Sequence, residues 1–219
     1  MLTAAFKEAY LELVPVFERA TGNNETSVWV SSVDMMTRLK AGEVVDLAIC
    51  SVKAADELAA AGIVGERTNI AKSGIAAAVR AGAPKPDMSS GEAVKRAVLA
   101  AKGIVYSRGP SGVYLEGLFE RMGISDAIAS RVRICQGEPA GAVVARGDAE
   151  LGFQQMSELL PVPGIDIVGP LPPDIQEITT FAAALHKRAE QPDAAKALVR
   201  HFTSADAAPV IRRKGMEPV

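Results

Sequence analysis

With 219 residues, of which 48% are hydrophobic and 23% charged, the chain can bury a sizeable core as one domain or as two lobes. Its net charge of −2 and a longest Lys/Arg run of only three, Arg212–Lys214, exclude a nucleic-acid footprint, and 5% aromatics exclude base-stacking platforms. No stretch reaches the ~18 consecutive apolar residues of a membrane helix, so no membrane insertion is expected.

Residues 2–20 read as an amphipathic helix bearing Lys7, Glu8 and Glu12, closed at Gly22. With a helix so near Met1, no secretory signal is expected within this stretch. The protein is therefore expected in the periplasm if a signal has been removed, and otherwise in the cytoplasm. Ser27–Val30 reads as a short strand running into Ser31–Ser32, followed by a helix over Val33–Lys40 with Val33, Met36 and Leu39 on one face. Val45–Cys50 is apolar enough for a strand buried on both faces, and Lys53–Ala61 for a helix. Ser73–Arg80 is a third strand, Ala81–Pro86 a stiff connector, and Ser89–Lys102 a helix with Glu92 in its first turn, close to a capping box.

Ile104–Tyr106 reads as a buried strand end and Ser107–Gly112 as a Ser/Gly/Pro turn. Beyond it Val113, Leu115, Leu118, Phe119 and Met122 recur at helical spacing. Ser111 stands at the expected N-cap, with Gly112 beside it to let a ligand approach the backbone. The unpaired N–H groups and positive dipole end of such a helix favour an anion, although an ordinary capped helix carries the same pattern. Further on come a short helix (Ser125–Ser130), a strand (Val132–Cys135), a helix and turn (Gly137–Gly147) and a strand (Leu151–Gln154) ending at Gln154–Gln155. After Ser157–Leu160 lie the strand Ile165–Val168, a second stiff connector at Pro170–Pro173, the strand Thr179–Leu185, and closing helices over Asp193–Thr203 and Ala205–Lys214.

Strands alternating with helices imply an α/β fold of mostly parallel sheets flanked by helices. The two Pro-rich connectors bracket a middle block, which gives a discontinuous lobe (1–82 plus 174–219), a second lobe (83–173), hinges at the connectors and a cleft between the lobes.

This order of elements resembles the type II periplasmic binding proteins, and specifically the molybdate-binding subunits of ABC importers. The segments that carry the resemblance are SSVDMMTRLKAGEVVDLAIC (31–50), DELAAAGIV (56–64), PSGVYLEGLFERMGISDAI (110–128), GAVVARGDAELGF (141–153) and PDAAKALVRHFTSADAAPVIRRKGMEP (192–218). They are colinear over nearly the whole chain. The resemblance implies a two-lobed fold with two hinge crossovers, a small anionic ligand, an ABC permease as partner and no cofactor. It places ligand contacts on Ser31 and Ser32, on Ser111 with Gly112 behind it, and on Gln155, where the family has a tyrosine hydroxyl. A further backbone contact falls on Ala140 or Gly141, because Pro139 has no N–H. Arg108 departs from the family's neutral donors and suits a bidentate carboxylate instead. The family also has a strand and an Ala/Ser-rich turn ahead of its first helix that supply one ligand hydroxyl; with a helix from residue 2, that group would be missing.

The sequence carries no nucleophile elbow, GxxxxGK phosphate loop or carboxylate pair in a shared turn, and it marks no catalytic set. Cys50, Cys135, His186 and His201 have no partners at metal-ligand spacing. The cysteines are expected as buried thiols and the histidines on the surface. Asp34 and Glu158 lie beside candidate ligand turns, where either could act as a general acid/base on a bound carboxylic acid. Two readings follow. One is a solute-binding protein closing over a molybdate-like oxyanion or a small organic carboxylate for ABC-type transport; the other is an isomerase or lyase of an organic acid, or a ligand sensor, on the same scaffold.

Overall fold

A computed structural model describes residues 1–219. After a 3-10 turn at Ala4–Phe6 come α1 (Lys7–Thr21), α2 (Ser32–Lys40), β1 (Leu47–Ser51), α3 (Val52–Ala60), β2 (Val64–Arg80) and α4 (Gly91–Ala100). The middle of the chain forms β3 (Ile104–Ser107), α5 (Pro110–Arg121), α6 (Ser125–Ile128), β4 (Val132–Cys135), α7 (Ala140–Arg146), β5 (Leu151–Gln155) and α8 (Met156–Leu159). It closes with β6 (Ile165–Pro170), β7 (Ile178–His186), α9 (Pro192–Phe202), α10 (Ala207–Arg213) and β8 (Glu217–Pro218). No helix is long and apolar enough to cross a membrane.

Two compact units result, Met1–Ser73 with Thr179–Val219 as unit 1, and Gly74–Ile178 as unit 2. The chain passes between them inside β2 and at β7, so the borders differ from the 82/83 and 173/174 expected from the proline pattern. The reason is visible at the connectors. Ala81 N–H donates to the Gly164 carbonyl, Gly82 N–H to Asp166 Oδ2 and Lys85 Nζ to the Ile167 carbonyl, at 2.8–2.9 Å, which fastens Ala81–Pro86 within unit 2.

In unit 1, Leu2 bridges in parallel to Trp29 on one side and Ile49 on the other, while β1 pairs antiparallel with β7 (Leu47 opposite Leu185). Alternation along β1 sorts its side chains to two faces. Leu47 and Ile49 pack with α1, α9 and α10 around Phe6, Phe181 and Phe202, whereas Ala48 and Cys50 pack with Met35, Leu39 and Leu58 of α2 and α3. In unit 2, β3 lies between parallel neighbours β4 and β5, and β2 pairs antiparallel with β5 and β6. Ile104 and Tyr106 face Leu115, Leu118 and Phe119 of α5, while Val105 faces Val143 and Val144 of α7.

The α/β layering is therefore as expected, but the sheets are mixed rather than mostly parallel. Helical crossovers return the chain in the same direction among β3, β4 and β5 and among the short segments at Leu2, Trp29 and β1, whereas β2, β6, β7 and β8 enter as antiparallel partners. Two further expectations change. Ser27–Val30 reduces to the single bridge at Trp29, whose ring packs edge-on against Tyr10 at 5.2 Å. His186 is buried, because its Nδ1 accepts the Arg188 N–H in the turn after β7. Cys50 and Cys135 are buried free thiols.

Candidate functional site

The carboxyl ends of β4, β3 and β5 bring three turns of unit 2 together, since Ser107 is in register with Cys135 and Tyr106 with Phe153. The chain leaves β3 for β4 on one side and then returns to β5 on the other, so α5 and α7 pack on opposite faces. In open α/β sheets such a reversal opens a crevice outside the carboxyl ends, where ligands bind.

The first turn is Ser107–Gly112. Gly109, not Ser111, is the N-cap of α5, with Pro110 at the first helical position. The preset φ of Pro110 starts the helix early, and this carries Ser111 into the first turn, where it is 1% exposed. Gly109 N–H donates to Ser107 Oγ at 3.3 Å. A Cβ on Gly112 would stand 1.5 Å from the Ser107 carbonyl oxygen, so the glycine serves the turn's own closure rather than ligand approach. Arg108 projects into solvent and takes part in none of the chain's ion pairs.

The second turn follows β4. Arg146 binds the Glu138 carboxylate at 2.6 Å and Asp148 at 3.2 Å, and Arg133 adds a contact to Asp148, which anchors the loop. The Ala140 N–H, expected to meet a ligand, instead donates to Gln154 Oε1 at 2.8 Å. A buried amide side chain reaching across from β5 has taken the contact, and Gly141 carries the next N–H of the helix start.

The third turn follows β5. Gln154 is buried, its Oε1 held by Ala140 and its Nε2 donating to Glu158 Oε1 at 2.8 Å. Gln155 is also buried, is partnered inside the chain, and is the N-cap of α8. Its backbone N–H supports the half-buried Glu158 carboxylate three residues on, as in a capping box. Burial outweighs both donors and raises the Glu158 pKa from 4.5 to about 7. Next to it, Ser157 Oγ is buried without a hydrogen-bond partner. The Cys135 thiol is pushed up to about 11, chiefly by burial, with the Glu158 and Glu138 carboxylates adding to the effect.

Unit 1 presents a similar edge, formed by the ends of three parallel segments at Thr3, Val30–Ser31 and Ser51. Ser31 caps α2: its Oγ accepts the Asp34 N–H at 3.0 Å and donates to Asp34 Oδ2 at 2.7 Å. Ser32 is the half-buried first residue of that helix. Ser51 caps α3 by accepting the Ala54 N–H at 3.4 Å. Ahead of the first helix Met1–Thr3 is extended rather than helical, and Thr3, buried beside Ile49, precedes the 3-10 turn. Ser51 was legible, because it follows an apolar run and opens a helix just as Ser31 does. Thr3 was not, because two residues cannot show strand periodicity. No group of three or more His, Cys, Asp or Glu residues lies close enough to hold a metal ion.

The family model described as bacterial extracellular solute-binding protein matches residues 1–217. The chain is 41% identical over 216 residues to an aconitate isomerase from a Pseudomonas species, covering 95% of this chain and 82% of that protein. Among solved structures, the periplasmic molybdate-binding protein of Azotobacter vinelandii superposes with a TM-score of 0.81 at 19% identity, covering 98% of this chain and 96% of that one. The sulfate-binding protein of Mycobacterium tuberculosis gives 0.79 at 16% identity, covering 100% and 85%. At these identities the likeness to the two structures is one of fold, and the fold is that of the periplasmic binding proteins.

Proposed function

The chain belongs to the bacterial extracellular solute-binding protein family, and from that premise we propose that it binds a small organic polycarboxylate and isomerises it, with aconitate as the substrate. The observation that carries this reading is the 41% identity to an aconitate isomerase over 95% of the chain. The residues support a carboxylate better than molybdate. Arg108 offers an unpaired planar guanidinium at the carboxyl edge of unit 2, a fork that matches one carboxylate bidentately. Ser111, Gly141 and Gln155 lie at the same edge as hydroxyl, backbone and amide groups. Such neutral dipoles hold an anion without requiring a buried counter-charge.

Incubating the purified protein with one aconitate isomer and following the proton NMR spectrum tests the proposal. Appearance of the other isomer, up to a constant ratio, is the expected result; unchanged substrate contradicts it. A second reading, delivery of a bound anion to an ABC permease, is favoured by the family match and by the periplasmic molybdate-binding fold. It requires tight binding without conversion, which calorimetry against aconitate, molybdate, tungstate and sulfate separates from the first.

A further inference from the structure

Shifting a carbon–carbon double bond along a carboxylic acid skeleton needs a group that accepts a proton from one carbon and returns it to another. The carboxyl edge of unit 2 holds a carboxylate held only by neutral groups. Glu158 Oε1 accepts from Gln154 Nε2 at 2.8 Å, and Gln154 is fixed in turn by the Ala140 N–H on its other end. This orientation of the amide is set by Ala140, which can only donate. The Glu158 and Glu138 carboxylates both act on the Cys135 thiol of β4, while Glu158 itself is influenced by burial, the Gln154 amide and the Gln155 N–H. No cation is among the groups that hold the carboxylate. One residue away, the buried Ser157 hydroxyl has no partner within the chain, an unsatisfied polar group of the kind that a ligand completes.

Resting on the isomerase reading, we propose that Glu158 is the catalytic residue that moves the proton, and that Gln154 is its positioning residue. The Glu158 carboxylate takes a proton from the CH2 carbon of aconitate, breaking that C–H bond. The electron pair delocalises through the adjacent double bond to the carbon that was the alkene CH, stabilised by the carboxylates. Glu158 then returns the proton to that carbon, forming the new C–H bond, and the double bond now lies on the other side of the central carbon. Atoms and electrons balance without oxidation or reduction. A pKa near pH 7 suits a group that must both accept and release a proton. The alternative base, Asp34 in unit 1, is exposed, and its Oδ2 already accepts from Ser31. Covalent addition by Cys135 is disfavoured, because a thiol held near 11 supplies little thiolate at neutral pH.

The test is Glu158→Gln, which keeps the capping geometry because Gln serves equally at the third helical position. Aconitate affinity by calorimetry is expected to stay within about threefold, while turnover falls by about 10²-fold or more. Deuterium uptake into aconitate in D2O should be lost in parallel, and the wild-type rate should rise with pH through about 7. Glu158→Asp, the second variant, should keep a weakened rate and the same pH limb. Wild-type-like turnover in Glu158→Gln overturns the assignment alone; a wild type that binds aconitate but never isomerises it overturns the isomerase reading and the assignment together.

Discussion

Ser31 in unit 1 and Ser111 in unit 2 both stand where a strand gives way to a helix, yet their surroundings differ. Ser31 is exposed, and its hydroxyl is fully occupied by Asp34, whose N–H it caps and whose carboxylate it meets. Ser111 is buried in the first turn of α5, and Gly109 holds the cap position. The Ser31 turn therefore sustains a helix, whereas the Ser107–Ser111 turn carries an exposed Arg108 outside every ion pair of the chain. A serine at a helix start acquires its role from the residue three positions on and from its depth. It does not acquire that role from the strand-to-helix position alone.

The largest test of this contrast is Gly112→Ala. Its Cβ would meet the Ser107 carbonyl at 1.5 Å, so thermal denaturation should show unit 2 destabilised by more than about 4 kcal/mol. Next, Arg108→Ala should weaken aconitate binding by about ten- to a hundredfold, the worth of charge-assisted hydrogen bonds, with the melting temperature unchanged, and Arg108→Lys should recover little of it. A smaller pair of substitutions separates the two serines. Ser31→Ala should cost about 1 kcal/mol of stability with little change in affinity. Ser111→Ala should do the reverse, and equal effects on affinity would remove the contrast.

A last test concerns pH. The folded state holds a proton on Glu158 that the unfolded chain releases at its ordinary pKa. This contribution to stability is therefore complete below about 4.5 and is lost as pH rises to about 7. Denaturant unfolding across that window should show a shallower decline in Glu158→Gln than in the wild type.

Much of this architecture was legible in the sequence, because burial on one face leaves a periodic trace. The α5 pattern of Leu115, Leu118 and Phe119, and the β4 and β5 runs, are such traces. The first half of β2 was hidden because Glu66, Arg67, Thr68 and Asn69 are polar and mostly solvent-facing in an antiparallel strand. The site was less legible still. That Ala140 would lose its N–H to Gln154, fourteen positions away, depends on α7 and β5 meeting in space. The raised pKa of Glu158 depends on burial that no local pattern announces. Arg108, Ser111 and Gln155 could be singled out only as candidates, because turns at strand ends carry their own composition signal.

The most direct measurement is an amide-resolved proton–nitrogen NMR titration of the wild-type protein with aconitate. The account predicts saturable shifts concentrated at residues 107–112, 140–142 and 154–158, the carboxyl ends of β3, β4 and β5. Shifts confined to other parts of the chain, or none at a saturating concentration, would contradict it.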